Sequence, residues 1–203
     1  MTLQVKISKK LVTYKTAFSF LKKRVELVKK SGAEELLWIL EHPLTFTSGI
    51  RFKENEILDK KISIVETNRG GKITLHSPGQ KIVYFVLDLN KRKKDIKNLV
   101  KTIELIIIDF LKLYKIKSYA DKKNIGIWVK DKKIAAIGIR VSNWVAYHGF
   151  SININNNLNY YKKIIPCGLD NTKITSAEIE SKIKILNKEK KLRDIFIKKL
   201  KNI

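Results

Sequence analysis

Apolar residues recur at helical spacing between Tyr14 and Lys30, where Ala17, Leu21, Val25 and Val28 share one stripe and lysines fill the opposite face. That pattern predicts an amphipathic helix packed by one side, ended by Ser31-Gly32, since glycine is common just past a helix. The period then changes. Leu36 to Leu40 is a short unbroken apolar run, which suits a buried strand. Pro43 marks its exit into a loop through Glu41-His42-Pro43 and Leu44 to Gly49. Ile62 to Glu66 reads as a strand, and so does Lys81 to Leu89, rich in Val, Tyr, Phe and Leu. Lys94 to Tyr114 reads as a long helix with Leu99, Ile103, Ile107 and Phe110 on its core stripe. Ile125 to Val129, Lys133 to Val141 and Trp144 to Ile154 follow as strands, with a turn at Lys130-Asp131-Lys132 and a loop at Asn155 to Asn159. Ile164-Ile165 leads to a tight Pro166-Cys167-Gly168 turn. From Ser176 onward the pattern predicts a lysine-rich helical tail. Ile179, Ile183 and Leu186 form one stripe, Leu192, Phe196 and Leu200 a second, and Thr175-Ser176-Ala177-Glu178 supplies helix-start chemistry. No repeat and no Gly/Ser/Pro-rich linker interrupts the chain, so the expectation is one α+β domain over residues 1–203.

Composition narrows the class. At 203 residues and 44% hydrophobic the chain can bury a core. One cysteine excludes an internal disulfide framework and suits a reducing compartment. The first ten residues lack an apolar signal core, and no run approaches the roughly 20 apolar residues of a membrane helix. A soluble, cytoplasmic protein is expected. The net charge of +24 draws polyanions. The lysines, however, are spread along the chain among many Ile and Asn residues, as AT-rich codon usage also produces, and no zinc-ligand spacing, recognition helix or aromatic-interleaved basic patch accompanies them. Neither nucleic acid nor membrane is expected as a partner.

The candidate chemistry centres on Cys167, the lone thiol. A free thiol titrates near ~8.5, and a neighbouring ammonium or imidazole favours the reactive thiolate. Lys133 and His148 lie upstream as possible sources of that charge. A lone cysteine is nonetheless more often a buried structural residue than a nucleophile. Arg69-Gly70-Gly71 through His76 is the most glycine-rich stretch. Adjacent glycines permit close approach of a ligand, although a hairpin turn with incidental charges accounts for them as well, and the spacing is not that of a phosphate-cradling P-loop. Ala135, Ala136 and Gly138 leave room beside their strand.

Four stretches, in order, carry a likeness. They are Glu41-His42-Pro43 with Thr47-Ser48-Gly49; Arg69-Gly70-Gly71 through Pro78-Gly79-Gln80; Lys133-Ile134-Ala135-Ala136-Ile137-Gly138; and His148-Gly149-Phe150 through Pro166-Cys167-Gly168 with Thr175-Ser176. As a set they resemble the octanoyltransferases, the lipoyl(octanoyl) transferases of protein lipoylation, most strongly over residues 36–177, with 178–203 left as a basic helical tail. The resemblance implies a mixed β-sheet flanked by helices, as in biotin and lipoate protein ligases. It also implies transfer of an octanoyl group from an acyl carrier protein to a lysine of lipoyl domains, those of 2-oxoacid dehydrogenase E2 subunits and of the glycine cleavage H protein. By matching positions, Cys167 is the acyl-thioester nucleophile and Lys133 its partner, with His148 in support. Arg69, Gly70, Gly71, Lys72, Ile73, Thr74, Leu75, His76, Ala136, Ile137, Gly138, Gly149, Phe150 and Ser151 line the acyl pocket. No metal and no cofactor are called for, and a monomer is expected. The chain departs from the usual Tyr-His-Gly-Pro-Gly-Gln loop at Leu75 and Ser77, which implies an altered pocket shape.

Two other readings compete. An ATP-dependent lipoate or biotin ligase on the same fold would need no cysteine nucleophile and would want a phosphate-binding glycine loop. A non-catalytic basic module, for instance for RNA, would show a lost nucleophile or lysine, and both are present.

Overall fold

The computed structural model describes residues 2–121, 124–166 and 173–203. In chain order its strands are β1 (Leu3–Ile7), β2 (Glu35–Leu40), β3 (Thr45–Ser48), β4 (Ile64–Glu66), β5 (Thr74–His76), β6 (Gln80–Asp88), β7 (Tyr119–Ala120), β8 (Ile127–Val129), β9 (Lys132–Ser142) and β10 (Val145–Asn153). The helices are α1 (Tyr14–Ser31), α2 (Ile96–Lys112), α3 (Ala177–Ser181) and α4 (Lys188–Leu200). Seven strands form the main sheet in the order β1-β2-β6-β10-β9-β8-β7, and a small second sheet runs β4-β3-β5. In the main sheet only β1 with β2 is parallel, so the sheet is mixed.

Local chemistry explains the elements. Thr13 caps α1 by accepting the Thr16 amide at 3.2 Å, and the helix stops at Gly32. Asp95 caps α2 through the Asn98 amide at 2.9 Å. β9 turns into β10 through Asn143 and Trp144, at φ 49° and 61°, the paired left-handed geometry that matches the twist of a two-residue hairpin. One face of the sheet packs Trp38, Leu40, Ile82 and Val86 against the buried stripe of α1. The other packs Ile39, Phe85, Ala146 and Ile152 against α2 and α4, with Phe110 and Phe196 at the centre. β6 and β10 are buried along their whole length because both faces are covered.

Three expectations from the pattern are corrected. The strand expected at Ile62 begins at Ile64, because Asp59 accepts the Lys61 amide and the Ile62 amide turns back to the Asp59 carbonyl. The tail is two helices separated by Lys182 and Asn187, both in left-handed conformation. The stripe Ile179, Ile183 and Leu186 lies more than half exposed, and Ile185 is buried in its place. Ser181 ends the first helix, bonding back to the Ala177 carbonyl at 2.7 Å and accepting the Ile183 amide. The second stripe holds at Leu192 and Phe196.

Candidate active site

Beneath the 69–76 segment, at the β9–β10 part of the sheet and bordered by Tyr14 of α1 and by Ile96 and Val100 of α2, lies a cavity of about 490 Å³. Its floor is β9 beside β10, with Gly149 opposite Gly138 and Ser151 opposite Ala136. These small residues leave space where larger side chains would fill the groove. Gly149 also faces Tyr84 on β6. A Cβ there would sit 1.9 Å from the Val83 carbonyl oxygen, so no other residue fits. His148, just before it, has φ 70° in the middle of a strand, a conformation uncommon outside glycine. Its ring consequently stacks on that of its own neighbour Tyr147, centroids 4.9 Å apart, and lies on the cavity side instead of alternating away.

The roof is the glycine-rich segment. Arg69 holds it down, Nη2 donating to the Thr47 carbonyl at 2.8 Å and to the Thr47 hydroxyl at 3.0 Å, and Nη1 donating to the Gly70 carbonyl. Gly70 lies against the Ile139 carbonyl, and Arg140 Nη1 donates to the Asn68 carbonyl at 2.7 Å. Lys72 pairs with Glu56 at 2.6 Å.

Lys133 closes one end. It is 7% exposed, and its ammonium donates to the Ile125 carbonyl at 2.8 Å. Gly126 makes that reach possible, since a Cβ there would come within 2.4 Å of Lys133 Cε and 2.7 Å of the Ala135 carbonyl oxygen. The backbone of Lys133 donates to the Lys173 carbonyl at 2.8 Å and accepts from the Thr175 amide at 3.0 Å. The chain from Lys173 to Thr175 is thereby fixed along the backbone of Lys133.

The opposite end is aromatic. His42 donates from Nδ1 to the Val12 carbonyl at 2.5 Å and accepts at Nε2 from the Tyr84 hydroxyl at 2.9 Å. His76 donates from Nδ1 to Gln80 Oε1 at 2.8 Å, and His148 from Nε2 to Asn68 Oδ1 at 3.0 Å. Burial is the main force on all three. It lowers His42 to about 4, and His76 and His148 to about 3, with charge from His42 adding to the effect on His76 and Arg69 to that on His148. All three are neutral imidazoles near neutral pH. Burial likewise raises the Tyr14 and Tyr84 phenols.

Of the residues expected in the pocket, Arg69, Gly70, Gly71, Lys72, Thr74, His76, Ala136, Ile137, Gly138, Gly149, Phe150 and Ser151 contribute to the cavity wall, together with Lys133 and His148. Ile137 and Phe150 do so from the core on the α2 side. Ile73 and Leu75 do not line it. They alternate away into the small sheet's own core with Phe46 and Tyr161. Cys167 and Gly168 lie outside the described residues. Tyr14, Tyr84 and Arg51 also border the cavity. No sequence motif marked them, because Tyr14 reads as the first turn of a helix and Tyr84 as one more strand aromatic. Among the described residues no group of His, Cys, Asp or Glu could hold a metal ion, and no helix is long and apolar enough to cross a membrane.

A mixed sheet with helices on both faces is the fold of the catalytic domain of lipoate and biotin protein ligases. A bi-partite lipoate protein ligase from Thermoplasma acidophilum superposes with a TM-score of 0.76 at 13% identity, covering 99% of this chain and 84% of that one. A biotin protein ligase from Aquifex aeolicus does so at 0.55 and 12%, covering 99% and 69%. The model of the lipoyl protein ligase A/B catalytic domain matches residues 13–202. An octanoyltransferase of Wolbachia sp. subsp. Brugia malayi (strain TRS) is 40% identical over 177 residues, 85% of this chain and 86% of that one. The chain belongs to this family, and within it to the octanoyltransferases.

Proposed function

We propose that this octanoyltransferase carries its acyl group as a thioester on Cys167, taking it from an acyl carrier protein and giving it to a lysine of a lipoyl domain. The observation that carries the reading is Lys133, a buried amine at the end of a small-residue groove. Its backbone is tied to Lys173, where the chain returns from the cysteine-bearing segment. On the other side of that segment, Ile165 donates to the Glu56 carbonyl at 2.8 Å, and the Glu56 carboxylate pairs with Lys72 of the cavity wall.

The chemistry is a thioester exchange followed by aminolysis of the acyl-cysteine. The Cys167 thiolate attacks the donor carbonyl, the donor C–S bond breaks, and the carrier sulfur leaves as a thiol with the proton given up by the Lys133 ammonium, which becomes the free amine. The acceptor lysine amine then attacks the acyl-cysteine, an amide forms, and Cys167 leaves as thiolate. Lys133 as ammonium favours the thiolate. As free amine it accepts the proton released by the attacking lysine. One thioester is exchanged for another at little cost, so the reaction draws on neither ATP nor metal. Its setting is the cytoplasm, and its acceptors are lipoyl domains of 2-oxoacid dehydrogenase E2 subunits and the glycine cleavage H protein.

Intact mass after mixing the protein with octanoyl-acyl carrier protein, without ATP or acceptor, tests this. The expected result is a gain of one octanoyl group, released by hydroxylamine and absent in Cys167→Ala. Lys133→Ala is expected to slow the adduct's formation by about 10²–10⁴-fold with unchanged thermal unfolding. No adduct until free acid and ATP are supplied would place the protein with the ligases instead.

A further inference from the structure

Lys133 reaches the cavity because its strand is irregular. Ala135, Ile137 and Ile139 alternate toward the core on the α2 side, and unbroken alternation would send Lys133 the same way. The register prevents this. Ile127 of β8 pairs with Ala135, but Trp128 pairs with Lys133, so Ile134 is an extra residue at a register shift. Ile134 and Ala135 are both buried in the α2-side core, and the alternation reverses beyond them. Lys133 is thereby turned out of that core and lines the cavity. Its cross-strand neighbour is Trp128, which stands between the core residues Ile127 and Val129.

The amine is then anchored on backbone. Nζ donates to the Ile125 carbonyl at 2.8 Å. A neutral carbonyl suits a group that must change charge. Amine and ammonium both keep an N–H to donate, so the anchor holds in either state. A carboxylate in the same place would favour the ammonium and oppose loss of its proton. The Ile125 side chain is 50% exposed and does not fix this carbonyl. Its neighbours do. On one side the Trp128 indole N–H donates to the Asn124 carbonyl at 3.0 Å, and the Asn124 amide and side chain donate to Asp121 at 3.3 and 3.2 Å. On the other, Gly126 lies against β9, where a Cβ would come within 2.7 Å of the Ala135 carbonyl oxygen. The indole ring is 5.8 Å from Nζ, near the outer limit of a cation–π contact, so the N–H is the stronger of its two ties.

We propose that Trp128 is a positioning residue for the transfer: its indole N–H fixes the backbone at Asn124, and the adjoining Ile125 carbonyl keeps the Lys133 amine at one point while its charge changes. The inference rests on the proposed role of Lys133 as proton donor and acceptor. In the first step its nitrogen gives a proton to the departing carrier sulfur, and in the second it takes one from the acceptor lysine. Both transfers need Nζ within hydrogen-bond reach of the reacting atoms. A long, flexible side chain without an anchor would spend part of its time elsewhere, and the rate would fall accordingly.

A double-mutant cycle of Trp128→Phe with Lys133→Ala tests this. Phenylalanine keeps a ring in β8 and removes the donor. With octanoyl-acyl carrier protein in excess, intact mass gives the first-order rate constant of adduct formation. A reduced folded fraction lowers the amplitude and leaves that constant unchanged. The expected result is a loss of about fivefold from Trp128→Phe, the size of one neutral hydrogen bond. Transfer from the adduct to a lipoyl domain should slow by the same factor. With Lys133 already replaced by alanine, the same substitution should change loading by less than about twofold. Gly126→Ala loosens the anchor from its other side, and the same cycle with it should show a loss of about tenfold or more that also depends on Lys133. No loss, or an equal loss in the Lys133→Ala protein, overturns the proposal, because the indole then serves the fold alone. A loss confined to loading overturns it too, since only the ammonium would then be held. Lys133→Ala loading as fast as the natural protein overturns the role of Lys133, and the positioning with it.

Discussion

Of the chain's three histidines, all buried and neutral, His76 and His148 line the cavity and His42 packs behind it against Tyr84 and His76. Each has a folded-state pKa below its unfolded value, so the unfolded chain binds more protons as the medium is acidified. Their contribution to stability is therefore present above the unfolded value near ~6.5 and lost as pH falls toward the folded values. Denaturant unfolding should show stability dropping between about pH 6.5 and 4, by up to about 1.4 kcal/mol per pH unit for each histidine. His148→Asn should remove about a third of the slope in the upper part of that window, before carboxylates titrate. A flat profile there would mean that the imidazoles are not held neutral. The same histidines illustrate what single residues disclose in sequence. His42, in the loop that Pro43 marks, is bonded at both nitrogens. The left-handed backbone that turns His148 inward leaves no trace in residue order, because it arises where Gly149 meets the Val83 carbonyl.

At the scale of elements, α4 is held by its buried aromatic. Phe196 is 1% exposed and meets Phe85 of β6 at 5.9 Å. Lys81 adds a polar tie, pairing with Glu41 at 2.7 Å and with Glu189 of α4. Phe196→Ala should lower the free energy of unfolding by about 3–5 kcal/mol, measured by urea titration. A loss under about 1 kcal/mol would show that the tail packs loosely. The two long helices and the central strands were legible because their apolar residues repeat at 3.6 or run unbroken. β1 and β3 were not. β1 is an edge strand with half-exposed Leu3 and Lys6 between outward residues, and β3 has a single buried large apolar residue, Phe46. The tail misled because its stripe of Ile179, Ile183 and Leu186 keeps helical spacing across a break set by Ser181 and Lys182. The glycine-rich roof and the small-residue floor could be read from composition. The aromatic end could not, since Tyr14, His42 and His76 come from separate segments and meet only through the sheet.

At the scale of the molecule, 43 Lys and Arg against 19 Asp and Glu leave a net charge of +24. Such a field speeds encounter with an acidic partner and is screened within roughly a Debye length, about 10 Å at 0.1 M salt. Raising ionic strength from about 0.02 to 0.3 M should lower kcat/KM with octanoyl-acyl carrier protein about tenfold or more. With octanoyl-pantetheine, a small neutral donor, the rate should hardly change. Equal salt dependence for both would assign the charge no part in docking the carrier.

The 68–71 segment has a second duty that follows from the sheet's outline. β8 pairs with β9 only as far as Ala135, so among the described residues no strand covers the outer rim of β9 from Ala136 to Ser142. Gly70 against the Ile139 carbonyl and Arg140 against the Asn68 carbonyl put the cavity's roof over that rim. A bare strand edge recruits other chains. The roof that shapes the groove is therefore also a guard against self-assembly. Changes to it that widen the groove carry a solubility penalty that changes to the floor, at Ala136 or Ser151, do not.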